Sequence, residues 1–284
     1  MALFRALESR LPRQQRRFVD PLAAHFLSPP LRVVAELARL PGVAALACFL
    51  LDRRWPGVRT SAVARTWFID ERFRRALASG TRQVVTLGAG FDARSWRLLK
   101  DFPGAVFEVD HPATQARKRD CLRAAGLAPP DSLRFVPVDF ARDNLGHALA
   151  AAGFDSQLPT FFVWEGVTNY LDEAAVGATL AWCASAAPGS EIVFTYIHRR
   201  VLEEPRSFAG MEAVLRRLHA AGEHWTFGFE PDELPAYLAR LGLHLEEDVG
   251  AAEYRGLCYG ASAARMQGYE FYRIARATVG RVSR

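Results

Sequence analysis

The chain has 284 residues, half of them hydrophobic, with 36 basic and 31 acidic side chains and a net charge of +5. That is enough apolar material for one large globular domain, or for a domain carrying an extension. The arginines are scattered rather than gathered in a block, so no nucleic-acid surface is indicated, and Cys48, Cys121, Cys183 and Cys258 form no CxxC pair that would suggest a metal site or a disulfide framework.

The first eighty residues or so carry almost no strand pattern, and the stretches 3–11, 20–26, 31–40, 43–51 and 61–78 read as helices. Thr60 or Ser61 is the expected cap of the last one. The apolar stretch 40–51 contains Pro41 and Gly42 and is too short to cross a bilayer, so a buried helix is expected there. The opening MALFRALESRLPRQQ lacks the pattern of an export signal, which leads to an expectation of a cytoplasmic protein without a membrane partner.

Short apolar runs then alternate with helical stretches. The runs are 84–87, 105–109, 133–138, 161–164 and 191–197, and between them come 96–100, 114–125, 145–151 and 173–186. Such alternation predicts an α/β fold with a parallel sheet covered by helices on both faces, and ligands at the carboxyl ends of its strands. A helical insertion follows at about 199–230, then a helix starting near Pro231 and two more strands at 243–249 and 269–277. With no linker in sight, residues 1–80 are expected to form a helical cap on a core of 81–284 within one structural unit.

The first strand ends in VVTLGAGFDARSWRL, where Gly88, Ala89 and Gly90 match a strand-to-helix turn that binds a dinucleotide or S-adenosylmethionine. Asp110 ends the next strand, where a ribose carboxylate belongs. Asp92 inside the turn would repel a pyrophosphate, whereas S-adenosylmethionine has no phosphate and carries an ammonium. Asp139 and Phe140 close the third strand as an adenine acceptor and an aromatic cover, and Glu165 follows the fourth.

TLGAGFDARSWRL, FEVDHPATQARKR, VPVDF and VWEGVTNYL resemble the successive motifs of the leucine carboxyl methyltransferase family, which includes polyketide carboxyl methyltransferases similar to the tetracenomycin enzyme. ARTWFID, FVDPLAAHFL and WTFGFEPDELPAYLARLG extend the resemblance over roughly residues 17–249. It implies a class I methyltransferase fold, a Rossmann-like and mostly parallel sheet of seven strands, with S-adenosylmethionine as cofactor. It further implies Arg65 on the cofactor carboxylate, the Gly88 to Gly90 turn along the methionine moiety, Asp110 on the ribose, Asp139 and Phe140 at adenine, and Glu165 toward the amino group. Two departures are visible: Phe140 stands where the family commonly has Leu, and Ala93 where it often has Thr or Ser.

Methyl transfer to a carboxylate needs no general base, whereas transfer to a hydroxyl does. His198 is the candidate base and the better placed of two, His111 lying toward the ribose end. Tyr170, Tyr196 and Trp164 are candidates to line an acceptor pocket, Arg199 and Arg200 to hold an anionic substrate, and 219–229 to form either a lid or a packed connection. The expected activity is O-methylation of a small molecule, a carboxylate first, in secondary metabolism. A hydroxyl acceptor, a protein- or RNA-directed or inactive family member, a nicotinamide-dependent oxidoreductase and an oligomeric assembly stay open.

Overall fold

Helices come first along the chain: α1 (Ala2–Glu8), a 3-10 turn (Ala23–Phe26), α2 (Pro29–Leu37), α3 (Val43–Arg54) and the long α4 (Val58–Ala78). Strands and helices then alternate as β1 (Gln83–Leu87), α5 (Arg94–Arg97), β2 (Ala105–Asp110), α6 (Pro112–Ala124), β3 (Leu133–Pro137), α7 (Leu145–Ala151), β4 (Thr160–Trp164), α8 (Glu173–Ala184) and β5 (Glu191–Ile197). Short helices α9 (Arg200–Glu203) and α10 (Met211–Ala220) occupy the insertion, followed by α11 (Leu234–Arg240), β6 (Leu243–Gly250), α12 (Ala251–Tyr259) and β7 (Tyr272–Val279). This computed structural model describes residues 1–280 apart from 100, 141 and 221, so Lys100, expected to end the helix after the glycine turn, lies outside the described residues.

The strands form one seven-stranded sheet in the order β3-β2-β1-β4-β5-β7-β6. β1 to β5 run parallel, and β7 runs antiparallel to both its neighbours. Strand order reverses between β1 and β4, which opens a crevice beyond their carboxyl ends. Register places Leu87 opposite both Val109 and Trp164, so the residues that follow these three strands emerge at one edge of the sheet.

Both faces of the sheet are buried, as unbroken runs such as QVVTL and TFFVW require. On one face Val85, Phe107, Phe162, Trp164 and Phe194 pack with Leu149, Leu180 and Leu238 from α7, α8 and α11. On the other, Val84, Val106, Phe161 and Val193 pack with Phe68, Ile69 and Phe73 of α4 and Tyr254 of α12. α4 is therefore a layer of the core, while α1 to α3 lie outside it.

Two local expectations are corrected, and one helix, α12, has no counterpart among the expected elements. α4 starts at Val58, because Gly57 at φ +82° turns the chain into the helix, and the Ser61 hydroxyl instead accepts from the Tyr269 N–H at 2.7 Å. The helix of 43–51 forms, but it buries only Ala44 and Cys48 and leaves Leu46, Phe49 and Leu50 in solvent.

Candidate active site

The turn after β1 is built by glycine in the left-handed region. Gly88 has φ +65° and packs so closely that a Cβ would stand 2.4 Å from the Val167 Cγ2. Gly90, at φ +45°, donates its N–H to the Asp110 carboxylate at the end of β2, and the same carboxylate accepts from the His111 N–H at 2.7 Å. The Ala89 N–H donates to the Val109 carbonyl at 2.9 Å, so the turn is stitched to the neighbouring strand.

Beneath the turn lies a buried ionic network. Asp92 accepts from the Arg94 N–H at 2.6 Å and pairs with the Arg94 guanidinium. That guanidinium also donates to Asp70 of α4 at 2.7 Å and to Glu165, just past β4, at 2.9 Å. Arg97 donates to Asp70 at 2.7 and 3.0 Å, and Arg65 of α4 to the other oxygen of Glu165 at 2.8 Å. Burial pushes the Asp92 carboxyl up, but Arg94, with Lys118 behind it, outweighs burial and holds it down at about 2. Glu165 follows the same balance: burial raises its pKa, Arg94 and Arg65 lower it more, and the group stays ionised below the usual carboxylate range.

Above this network is a cavity of about 400 Å³. Arg65, Gly88, Ala89, Gly90, Asp92, Arg94 and Glu165 line it, and Leu3 and Arg5 of α1 with Phe26 and Leu31 close its other side. Asp110 adjoins it through Gly90. Asp139 and Phe140 do not line it: they stand past the next strand, where the Val138 N–H donates to the Asp110 carbonyl at 2.9 Å, the Asp139 carboxylate is 3.9 Å from Arg142, and Phe140 packs on the sheet core. One Arg94 nitrogen, Nη2, is buried without a hydrogen-bond partner among the described residues, although Asp70 and Glu165 surround the group.

The leucine carboxyl methyltransferase family model matches residues 1–184. The chain belongs to the leucine carboxyl methyltransferase family. Membership makes it a methyltransferase with S-adenosylmethionine as cofactor, and two relatives agree with that assignment. A Streptomyces coelicolor protein, named by inference as an S-adenosyl-L-methionine-dependent methyltransferase, is 39% identical over 212 residues, 72% of this chain and 69% of its own. A Frankia alni protein named in the same way is 39% identical over 222 residues, 74% and 71% of the two chains. Among solved structures, a methyltransferase assigned by inference from Thermobifida fusca YX superposes with a TM-score of 0.61 at 16% identity, covering 97% of this chain and 93% of that one. A DUF574 family protein from Streptomyces avermitilis gives 0.59 at 14% identity, with 98% and 97% covered. These likenesses place the sheet in the class I methyltransferase fold.

In this family member the expected acceptor-side residues are not gathered on the cavity. Tyr196 is fully buried: its hydroxyl donates to Asp248 at 2.8 Å and accepts from Arg273 at 3.0 Å, and its ring meets Phe229 edge-on. It shares a sheet face with Phe194, two residues away, so it belongs to the core and not to a pocket. Trp164 is core for the same reason. Tyr170 is exposed and donates to Glu223 at 2.9 Å. His198 stands 3.2 Å from Glu230, and burial, with Arg200 and Arg273 nearby, pulls its pKa below the ordinary value despite that carboxylate. Arg199 is taken up by Glu233 at 2.7 Å. The segment 219–229 supplies Trp225, Phe227 and Phe229 to apolar packing, as a connection would.

Arg94, Arg97 and Asp70 belong to the site without being marked by its sequence motifs. Asp70 gave a signal: in WFIDERF it sits between Ile69 and Phe73 on the buried side of α4, and a carboxylate there requires a cation.

Proposed function

We propose that the chain methylates an oxygen of a small-molecule carboxylate, with its 400 Å³ cavity holding the amino-acid end of S-adenosylmethionine. The carrying observation is the Arg65–Glu165 pair at 2.8 Å on the cavity wall, a cation and an anion side by side that complement the carboxylate and ammonium of an α-amino acid. Glu165 uses one lone pair on each oxygen for Arg65 and Arg94, which leaves others to accept from an ammonium. The unpartnered Arg94 Nη2 and the glycine turn fit the same guest, and Asp110, fixed by two N–H donors, keeps acceptor capacity for ribose hydroxyls. Asp139 and Phe140 are assigned to the adenine side, past the next strand.

The same geometry speaks against a dinucleotide. α5 is only four residues long, its Arg94 N–H is capped by Asp92, and Asp92 and Glu165 are both ionised on the cavity wall. A pyrophosphate would meet two carboxylates, arginines already paired with carboxylates, and no free helix N-terminus.

S-adenosylmethionine supplies an activated methyl carbon when bound. The chain's own residues orient and shield: Arg65 and Glu165 fix the amino-acid end, the glycine turn permits close backbone approach, and Leu3, Phe26 and Leu31 keep water out. No His, Lys, Tyr or Cys lines the cavity among the described residues, and its carboxylates are held ionised by arginines and so are poor bases. That favours an acceptor already ionised at neutral pH, a carboxylate over an alcohol or phenol. The resemblance to polyketide carboxyl methyltransferases supports an acceptor from secondary metabolism. The test is transfer from methyl-labelled S-adenosylmethionine to a panel of carboxylic acids and phenols. A base-labile product that releases labelled methanol is expected, and a base-stable ether would overturn the carboxylate assignment.

A further inference from the structure

The hairpin of α2 and α3 reverses the usual order of a surface helix. Its inward face is small, with Ala35 and Ala38 of the first arm and Ala44 and Cys48 of the second all buried. Its outward face is bulky and apolar: Val33 is 58% exposed, Leu37 52%, Leu46 56%, Phe49 62% and Leu50 54%. An apolar surface of this extent on a soluble fold marks a contact.

We propose that this hairpin docks the protein on an anionic lipid surface. Charge selects the occupant. Between residues 29 and 56 the acidic side chains are Glu36 and Asp52, and both are engaged, by Arg39 at 2.8 Å and Arg59 at 2.5 Å. Arg32, Arg53 and Arg54 are exposed and have no carboxylate partner among the described residues. Unneutralised guanidinia beside an apolar face complement a bilayer of acidic headgroups, whereas a second copy related by a two-fold axis would set the same cations against each other. No helix of the described residues is long and apolar enough to cross a membrane, so the arms, of nine and twelve residues, lie in the interface. Leu31, which begins the exposed face at 40% exposure, also lines the cavity, so lipid would meet the protein beside the mouth of its site.

The test sediments the whole chain with vesicles of phosphatidylcholine alone or mixed with equal phosphatidylglycerol. Binding to the anionic vesicles, weakened by salt, is expected, and paired Leu37→Ser and Phe49→Ser should lower the bound fraction roughly tenfold or more. Affinity for S-adenosylhomocysteine should not change, which shows that the variant is folded. Paired Arg53→Gln and Arg54→Gln should erase the preference for acidic lipid while leaving the apolar face intact. Failure of the unaltered chain to bind either vesicle, or undiminished binding by the serine variant, would overturn the proposal. So would a lipid-free dimer in sedimentation velocity that the serine variant dissolves, since a second copy would then be the occupant.

Discussion

Arg65, in the middle of α4, meets Glu165, just past β4, at 2.8 Å across 100 residues of chain. The side chains are 9% and 17% exposed, so this pair is largely desolvated. Buried ion pairs are seldom better for stability than apolar residues of the same size. What the pair provides is a fixed cation and a fixed anion on the cavity wall, the pattern of an amino-acid zwitterion.

Arg94 is the hub beneath that pair. Arg94→Ala leaves Asp70, Asp92 and Glu165 short of a cation in a buried setting, and a loss of about 3–5 kcal/mol in urea unfolding is expected. Arg94→Lys should restore little, because one ammonium cannot reach three carboxylates as a planar fork does. The exposed Arg206–Glu212 pair is the contrast, and Arg206→Ala should leave the unfolding midpoint where it is.

Gly88→Ala combines two penalties, a left-handed backbone and a Cβ 2.4 Å from the Val167 Cγ2. The backbone part is worth about 1–2 kcal/mol, and Gly42→Ala, at φ +79° with open space around it, should show that part alone. Adding Val167→Ala to Gly88→Ala should recover the steric part and no more, as read by thermal unfolding.

Acid stability follows from Asp92. Its pKa of about 2 in the folded chain lies below the value of about 3.9 for an unfolded Asp. A depressed carboxyl stabilises fully above about pH 4, and the contribution disappears as pH falls toward 2. Asp92→Asn should therefore cost on the order of 2 kcal/mol at neutral pH and flatten the loss of stability across that acid window. Chemical unfolding at a series of pH values checks both.

The acceptor side yields an expectation of little change. His198 and Arg199 are held by Glu230 and Glu233 and do not line the cavity. His198→Ala and Arg199→Ala should each keep kcat for a carboxylate acceptor within about threefold, less than the roughly hundredfold loss that removal of a general base brings. A large loss of kcat in His198→Ala, with KM unchanged, would point to a hydroxyl acceptor.

The sheet is legible in the sequence because strands buried on both faces read as apolar runs, and its glycine turn because positive φ demands glycine at Gly88 and Gly90. α12 is not legible: AAEYRGLCY follows β6 directly, and its start is marked only by Gly250 with Glu253 reaching back to the Gly250 N–H at 2.5 Å. Tyr196 misleads because an aromatic near a strand end suits a pocket as well as a core, and only the pleat, which sets it beside Phe194, decides. The bulky side of 43–51 misleads in the opposite sense, since apolar composition does not say which side of a helix faces the fold. The meeting of Asp70 with Arg94 and Arg97 comes from bringing α4 against α5, which no local spacing encodes.

Calorimetric titration of S-adenosylhomocysteine into the unaltered chain, Arg65→Ala and Glu165→Gln tests the site most directly, with NAD as the control ligand. Tight binding by the unaltered chain, a roughly ten- to hundredfold loss in each variant and no binding of NAD are expected. Undiminished affinity in both variants would show that the amino-acid end of the cofactor is held elsewhere and would contradict the assignment of this cavity.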